Sequence, residues 1–263
     1  MAEQSKRTAP SIRAMKGRSK IVCITAYDAL LAGLVDKAGV DLVLVGDSLG
    51  NVVLGYPTTL PVTLQEMIHH TRAVRRGIEK ALLVTDMPFG SYGASVEQGV
   101  RSATALVKAG AEGVKLEGNF PETIEAIVKL GIPVMSHLGM TPQSVNRFGG
   151  FKVQGKSEAG AQHLLDDLKS VESAGAFSVV LELVPGALAE RATAESSIPT
   201  IGIGAGPSCD GQIQVIHDVL GLTGEPFRHV RHFAELGTVI ADALCDYGES
   251  VRLGEFPTKD QAF

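Results

Sequence analysis

The chain has 263 residues, of which 44% are hydrophobic and 20% are charged. This length suits one barrel of alternating strands and helices, and it is long enough to bury a large apolar core. The formal net charge is −5 at pH 7 and the pI is about 5.8, which argues against nucleic acid and acidic membranes as partners.

The cysteines and the hydropathy pattern indicate the compartment in which the protein works. Cys23, Cys209 and Cys245 are odd in number, far apart and without a C-x-x-C spacing, which is typical of a reducing compartment. No apolar run reaches the roughly 18 residues that a membrane span requires, and the N-terminus has no apolar segment of a secretory signal. We therefore expect a cytoplasmic protein, with residues 1–19 forming a basic, solvated arm.

From residue 20 onwards, helical segments that end on glycine alternate with apolar runs. Capping boxes predict helix starts at Thr63–Glu66 and at Ser95–Gln98, and Pro121 suits a first helical turn. Glycine favours helix ends because it adopts the left-handed conformation of a C-cap without a Cβ penalty. The predicted helix ends are at Gly39, Gly110, Gly131 and Gly175.

The apolar runs predict a series of buried strands. Seven lie at residues 21–25, 42–46, 81–85, 113–116, 133–136, 178–181 and 200–203, and a weaker eighth at 215–220 is equally compatible with a short helix. Strands that are apolar on both faces and separated by helices indicate a parallel sheet covered by helices.

Eight such units form a (β/α)₈ barrel, whereas six or seven would leave an open doubly wound sheet. The barrel is favoured, and we predict a single (β/α)₈ domain over residues 20–263. Residues 226–253 read as an additional helical segment beyond the last unit, and this C-terminal extension is a candidate oligomer contact.

Polar residues follow several of the predicted strands, at the end where barrel enzymes carry their active sites. They are Asp47 and Ser48 after the second strand, Asp86 after the third, Lys115 and Glu117 on the fourth, His137 after the fifth and Glu182 after the sixth. Lys115 and Glu117 are two residues apart on one strand, so their side chains point to the same face.

Each of these residues also has a purely structural interpretation. Asp47 and Asp86 are possible N-caps of the helices that follow. Lys115 and Glu117 are a possible structural ion pair, and Glu182 is a possible core acid bonded to the backbone. Their coincidence on successive strand ends favours a shared function.

Four carboxylates at one mouth, with one certain cation, would repel one another unless a further positive charge were present. This imbalance predicts a metal ion. Because the ligands are oxygens, the ion should be hard, and Mg²⁺ is the first choice, with Asp47 and Asp86 as direct ligands.

Several motifs resemble one enzyme family, ketopantoate hydroxymethyltransferase. The similar stretches are TAYD from Thr25, LVGDSLG from Leu44, LPVT from Leu60, HLGMTPQSVNRFGGFKVQGK from His137 and IGIGAG from Ile201. The resemblance extends from about Lys20 to the C-terminus.

The resemblance implies a Mg²⁺-dependent barrel that transfers a one-carbon unit from 5,10-methylenetetrahydrofolate to 3-methyl-2-oxobutanoate, giving 2-dehydropantoate for pantothenate biosynthesis. It also implies a homo-oligomer, typically a decamer. By matching motif, Asp47 and Asp86 hold the metal with Glu117 in its sphere. Asp47, Ser48, Asp86 and Lys115 meet the 2-oxo acid, Glu182 is the proton acceptor, and His137 has a supporting role.

Two other readings of the same residues remain open at this point. One is a Mg²⁺-dependent carbon–carbon lyase or mutase of the isocitrate lyase type, although no K-K-C-G-H-like segment is present. The other is a metal-binding barrel that serves as a structural or regulatory oligomer, which would have no need for the full set of acid, base and lysine.

Overall fold

The computed structural model describes residues 5–224 and 227–263. The chain divides into two compact units between Val215 and Ile216. Within the described residues, no helix combines the length and the apolar character that crossing a membrane would require.

The first unit contains eight parallel strands that pair in sequence order and close into a barrel, as predicted. The strands are β1 (Ile21–Thr25), β2 (Leu42–Val45), β3 (Leu82–Asp86), β4 (Gly113–Glu117), β5 (Val134–Gly139), β6 (Ser178–Glu182), β7 (Thr200–Ile203) and β8 (Gly211–Gln214). β1 pairs with both β2 and β8, so the sheet has no free edge.

Helices cover the barrel between most of the strands. They are α1 (Ala9–Arg13), α2 (Ala29–Lys37), α3 (Leu49–Val52), α4 (Leu64–Arg75), α5 (Val96–Ala109), α6 (Pro121–Lys129), α7 (Val145–Phe148), α8 (Glu158–Ser173) and α9 (Gly186–Glu195). A short 3₁₀ turn, Pro142–Ser144, precedes α7.

The predicted helix ends are mostly confirmed. Gly39, Gly110, Gly131 and Gly175 all have positive φ after their helices. Thr63 and Glu66 form the predicted reciprocal capping box of α4, and Pro121 opens α6. At α5 only half of the predicted capping box forms: Ser95 caps the helix, but the Gln98 side-chain oxygen accepts no hydrogen bond from the Ser95 backbone N–H. The Gln98 amide nitrogen instead donates to the carbonyl oxygen of Gly90 at 2.8 Å.

The eighth strand lies earlier than predicted. Residues 211–214 form β8, and the predicted strand region 215–220 contains a short helix, α10 (Ile216–Val219). The sequence GQIQ has little β-branched content, yet Ile213 is buried in the barrel core, and pairing with β1 and β7 holds the segment extended. Residues 204–210 connect β7 to β8 without a helix, so the alternation of strands and helices breaks once.

The N-terminal segment is not the solvated arm that the sequence predicted. α1 places Ala9 and Ile12 in the core cluster with inward-facing residues of the barrel strands. Arg7 forms an ion pair with Asp41 at 2.8 Å, and Lys16 forms one with Asp210 at 2.8 Å. Both acids stand immediately before a strand, so this segment closes the amino end of the barrel.

The second unit consists of α10, α11 (Leu236–Leu253) and a 3₁₀ turn, Lys259–Gln261. The helical segment predicted from residue 226 begins only at Leu236, and Pro226 lies outside the described residues. α11 buries none of its residues and exposes an apolar row that includes Ile240, Leu244 and Tyr247.

Candidate active site

The polar residues predicted at the strand ends lie at the carboxyl end of the barrel. Asp86 and Glu182 are the last residues of β3 and β6, Lys115 and Glu117 lie on β4, and His137 lies on β5. The strand register pairs Asp86 with Lys115 and Glu117 with His137. Because these partners sit side by side on parallel strands, their side chains meet at one mouth.

Asp86 forms the centre of one half of this site. The Lys115 ammonium donates to Oδ1 of Asp86, and the backbone N–H of Asp47 donates to Oδ2 at 3.0 Å. Both oxygens are thus used across the barrel mouth, and Asp86 does not serve as a helix N-cap. Asp47 does not cap α3 either, since the residue at that position is Ser48, which makes no capping hydrogen bond.

Ser48 is held by an aromatic residue that the sequence did not single out. The hydroxyl groups of Tyr27 and Ser48 lie 2.8 Å apart. Tyr27 is buried and lies two residues after the end of β1. This contact fixes the direction of a partly exposed serine next to Asp47.

His137 occupies the other half of the site, between two carboxylates. Its Nδ1 lies 3.4 Å from Oε1 of Glu117 and its Nε2 lies 3.4 Å from Oε2 of Glu182. Burial and the Lys115 charge act to lower the pKa of His137, but the two carboxylates outweigh them and raise it to about 9. His137 is therefore an imidazolium at neutral pH and holds Glu182 in place by charge.

The direct ion pair predicted as an alternative for β4, Lys115 with Glu117, is replaced by two separate pairs. Lys115 bonds Asp86, and Glu117 faces His137. Burial acts to lower the pKa of Lys115, but Asp86, Glu117 and Asp47 outweigh it and raise the pKa above its usual value. Lys115 is consequently a permanent cation at the mouth.

The acids of the site carry more negative charge than these two cations balance. Burial raises the pKa of Asp47 well above its usual range, and the charges of Asp86 and Glu117 raise it further. The pKa of Asp86 is also raised by burial, although Lys115 opposes the shift. Counted as ionised, the carboxylates of Asp47, Asp86, Glu117 and Glu182 leave two negative charges beyond Lys115 and His137.

Glu117 is the exception among these acids. Burial acts to raise its pKa, but the hydrogen bond and charge of His137, the charge of Lys115 and a backbone N–H of Gln143 outweigh burial and hold the pKa below its usual value. Glu117 therefore stays ionised and keeps His137 charged.

The backbone on either side of Glu182 is tightly constrained. Leu183, which follows it, adopts a φ of 46°, a left-handed conformation that costs a leucine of order 1 kcal/mol. Gly139 on β5 has a φ of 89°, and a Cβ at this position would overlap the carbonyl oxygen of Glu182. The close approach of β5 and β6 at Gly139 therefore fixes where the Glu182 side chain begins.

Gln143 and Tyr92 belong to the site although no sequence pattern marked them individually. The Gln143 side-chain amide donates to Oδ2 of Asp47 at 2.8 Å, and its backbone N–H donates to Oε2 of Glu117 at 2.9 Å. Tyr92 donates to Oε1 of Gln143 at 2.6 Å. The residues sit in loops after β5 and β3, where strand and helix periodicity give no signal.

The donor set suits a hard divalent cation. Among residues 5–224 and 227–263, no group of three or more His, Cys, Asp or Glu side chains is arranged to hold a metal unaided. Mg²⁺ needs only one or two protein carboxylates, because water and substrate supply the other ligands. Raised pKa values at Asp47 and Asp86 mark the place where added positive charge is most favourable.

The fold and the candidate site together have the form of a (β/α)₈-barrel enzyme, with buried, acid-rich side chains at the carboxyl ends of its strands. Residues 6–259 match the sequence model of the family described as ketopantoate hydroxymethyltransferase. The chain belongs to this family.

Individual relatives agree with the family match. The chain is 53% identical over 272 residues to the 3-methyl-2-oxobutanoate hydroxymethyltransferase of Syntrophus aciditrophicus (strain SB), with 100% of each chain covered. Among solved structures it resembles phosphonopyruvate hydrolase, with 12% identity, a TM-score of 0.65 and coverage of 98% of this chain and 91% of that one. It also resembles 2,3-dimethylmalate lyase, described as a PEP mutase/isocitrate lyase superfamily member, with 16% identity, a TM-score of 0.60 and coverage of 97% and 91%. At these low identities, the structural likeness concerns the fold alone.

Proposed function

We propose that this protein transfers a hydroxymethyl group to 3-methyl-2-oxobutanoate, with 5,10-methylenetetrahydrofolate as the one-carbon donor, and forms 2-dehydropantoate. The observation that carries the proposal is the placement of Glu182. Its carboxylate is held by the His137 imidazolium, which also contacts Glu117. Gln143 joins Glu117 to Asp47, whose backbone N–H bonds the Asp86 carboxylate that Lys115 contacts. A base and an oxyanion-binding cation thus share one mouth.

The 2-oxo acid substrate has a carboxylate and a ketone oxygen that need positive or hydrogen-bonding partners. Lys115 supplies a permanent charge, and the Ser48 hydroxyl, directed by Tyr27, supplies a hydrogen bond. A charged donor fixed in a buried site stabilises negative charge on the ketone oxygen more strongly than it would in water. We assign substrate orientation and oxyanion stabilisation to these residues.

Glu182 is assigned the proton transfer. Its carboxylate removes the proton from C3 of the substrate, and the electron pair of that C–H bond moves into the enolate. One C–N bond of the folate methylene opens to give an iminium, and the enolate carbon adds to its carbon as the C=N electron pair returns to nitrogen. Water then supplies the product hydroxyl as the second C–N bond breaks, and the two freed folate nitrogens take up the protons lost by C3 and by water. His137 keeps Glu182 anionic and oriented, which a general base requires.

Asp47 and Asp86 are the proposed ligands of Mg²⁺, with Glu117 in the surrounding sphere. When bound, the ion supplies Lewis acidity, which polarises the ketone and lowers the barrier by several kcal/mol. The protein holds the carboxylate oxygens of Asp47 and Asp86 in a buried, pre-oriented arrangement where positive charge is lacking.

The lyase alternative rests on the likeness of folds, and folds of this kind carry many chemistries. The family match and the 53% identity instead favour hydroxymethyl transfer. A silent structural barrel would gain nothing from burying uncompensated acids, because each costs stability.

We also propose a cytoplasmic homo-oligomer, of which a decamer is the expected form. Two observations support this proposal. Cys23, Cys209 and Cys245 are all free thiols, as in a reducing compartment. α11 exposes an apolar row to water, and exposed apolar surfaces of this kind mark interaction sites. We assign a second copy of the chain as the partner.

The test is consumption of methylenetetrahydrofolate by the purified enzyme with 3-methyl-2-oxobutanoate, with Mg²⁺ and after chelation. We expect 2-dehydropantoate to form only with the ion present. An Asp86→Ala variant should bind Mg²⁺ more than about 100-fold more weakly, by calorimetry, because losing a ligand costs more than losing a partner of a ligand. Wild-type enzyme that leaves the folate donor unconsumed would reject the proposed reaction, and unchanged Mg²⁺ affinity in the variant would reject Asp86 as a ligand.

A further inference from the structure

Gln143 connects the two acidic halves of the site with three donated hydrogen bonds. Its side-chain nitrogen donates to Oδ2 of Asp47 at 2.8 Å and to the carbonyl oxygen of Met87 at 3.0 Å. Its backbone N–H donates to Oε2 of Glu117 at 2.9 Å. Gln143 is buried at 7% exposure, so these bonds are shielded from water.

The orientation of the Gln143 amide is forced by its neighbours. The Met87 carbonyl can only accept hydrogen bonds, and so can the ionised Asp47 carboxylate, so the NH₂ end must face them. On the other side, the Tyr92 hydroxyl accepts from the backbone N–H of Glu117 at 2.9 Å and directs its own proton to Oε1 of Gln143 at 2.6 Å. A flipped amide would place oxygen against two acceptors.

These contacts have one direction and end on Asp47. The Tyr92 hydroxyl accepts a hydrogen bond from the Glu117 backbone N–H and donates one to the Gln143 side chain. The Gln143 side-chain amide in turn donates one to Asp47. Since Oδ2 of Asp47 is occupied by Gln143, the oxygen left for an external ligand is Oδ1, which receives no hydrogen bond from the described residues. The carboxylate is thereby held in one rotamer before any ligand arrives.

We propose that Gln143 is a positioning residue for ligand binding, and that Tyr92 fixes its amide. Gln143 turns Oδ1 of Asp47 toward the cation and the 2-oxo acid, and it holds Glu117 against His137. This inference rests on the proposed function, because it names a residue that prepares the same site without touching the reacting atoms. Its effect belongs to binding, and the chemical step with all ligands bound changes less.

The test compares two substitutions with a matched control. Gln143→Met keeps the approximate shape and removes every side-chain donor, and Tyr92→Phe removes only the hydroxyl that fixes the amide. The control is Gln162→Met, because Gln162 also donates to an aspartate, Asp166, at 2.9 Å, but on the exposed face of α8. Readouts are Mg²⁺ titration by calorimetry, KM and kcat for 3-methyl-2-oxobutanoate, and proton–deuterium exchange at C3 without folate.

We expect Gln143→Met to weaken Mg²⁺ binding and to raise KM, each by about 10- to 100-fold, the range found when partners of metal ligands are removed. Because saturating ligands re-orient Asp47, kcat should fall much less than kcat/KM. Tyr92→Phe should show the same split at about 2- to 10-fold, as expected for the loss of one hydrogen bond. Gln162→Met should match the wild type.

Wild-type Mg²⁺ affinity and KM in Gln143→Met would overturn the inference, and so would a loss of kcat with binding unchanged. Should Gln143→Met fail to fold, as judged by circular dichroism, Tyr92→Phe decides by the same two criteria. Failure of the proposed function would appear differently, as wild-type enzyme that neither exchanges the C3 proton nor transfers the one-carbon unit, and the inference would fall with it.

Discussion

The amino end of the barrel pairs its buried acids with donors, whereas the carboxyl end leaves its acids short of positive charge. Asp41 receives Arg7 on one oxygen and the backbone N–H of Val22 on the other, at 2.9 Å each. Asp210 receives Lys16 at 2.8 Å and the backbone N–H of Thr200 at 2.9 Å. At the carboxyl end, burial and like charges instead raise the pKa values of Asp47 and Asp86.

This difference separates stability from function within one fold. At the amino end, each of these acids has its own cation, and the pairs hold the N-terminal segment against the barrel. At the carboxyl end, the acids outnumber the cations, which costs stability in the free protein, and a bound cation would recover that cost. Substitutions at the amino end should therefore lower stability and leave activity unchanged, whereas substitutions at the carboxyl end should lower activity and leave stability nearly unchanged.

The largest effect is expected for Glu182→Gln. The amide keeps the shape but cannot take a proton, so exchange at C3 of 3-methyl-2-oxobutanoate should fall by about 10³-fold, within the range for loss of a general base. Proton–deuterium exchange followed by NMR without folate measures this step. The midpoint of thermal unfolding should stay close to that of the wild type, and undiminished exchange would remove Glu182 from its assigned role.

An intermediate effect, on stability alone, is expected for Asp210→Asn at the amino end. The change leaves Lys16 without its counter-charge in a largely buried pair, so the free energy of unfolding should fall by roughly 2 to 3 kcal/mol. Urea denaturation measures it, with kcat unchanged at 25 °C. Lys129→Met is the matched control, because its pair with Glu125 is exposed and is worth under about 1 kcal/mol. Equal losses in the two variants would contradict the compensation described for Asp210.

The last effect, which comes from pH, is expected to be no larger than that of Asp210→Asn. The folded-state pKa of His137, about 9, lies above its usual 6.5, so the stability gained from the imidazolium is complete below pH 6.5 and is lost as pH rises through 9. With metal chelated, wild-type protein should lose up to roughly 3 kcal/mol more between pH 6.5 and 9.5 than His137→Gln. Parallel urea-unfolding curves for the two proteins across this range would show that His137 is uncharged in the fold.

Much of the barrel could be predicted because its strands are short and apolar, and several of them follow helices that end on glycine. The strand at Ile21–Thr25 and the strand at Thr200–Ile203 have the predicted bounds, and most others differ by one to three residues at an end. β8 was misplaced because Gly211–Gln214 carries no local signal. Pairing with two neighbouring strands determines its conformation, and such non-local pairing is invisible in a single segment.

The site was predictable where charge interrupts an apolar strand. Asp86, Lys115, Glu117 and Glu182 were singled out in this way, and the structure brings them to one mouth. Gln143, Tyr92 and Tyr27 were missed because their importance comes from hydrogen bonds between separate loops. The basic N-terminal segment was misread for the same reason: Ile12 gains a core environment only from strands that lie far along the chain.

The left-handed leucine after β6 carries a lesson for redesign. Leu183 keeps an unfavourable backbone conformation because its N–H bonds the Ile203 carbonyl and its own carbonyl accepts from Gln154, each at 2.9 Å. Hydrogen bonds from two other segments, at Gln154 and Ile203, thus offset the conformational cost at Leu183. An engineer who relaxed this turn for heat resistance would also loosen the orientation of the Glu182 carboxylate, the proposed base.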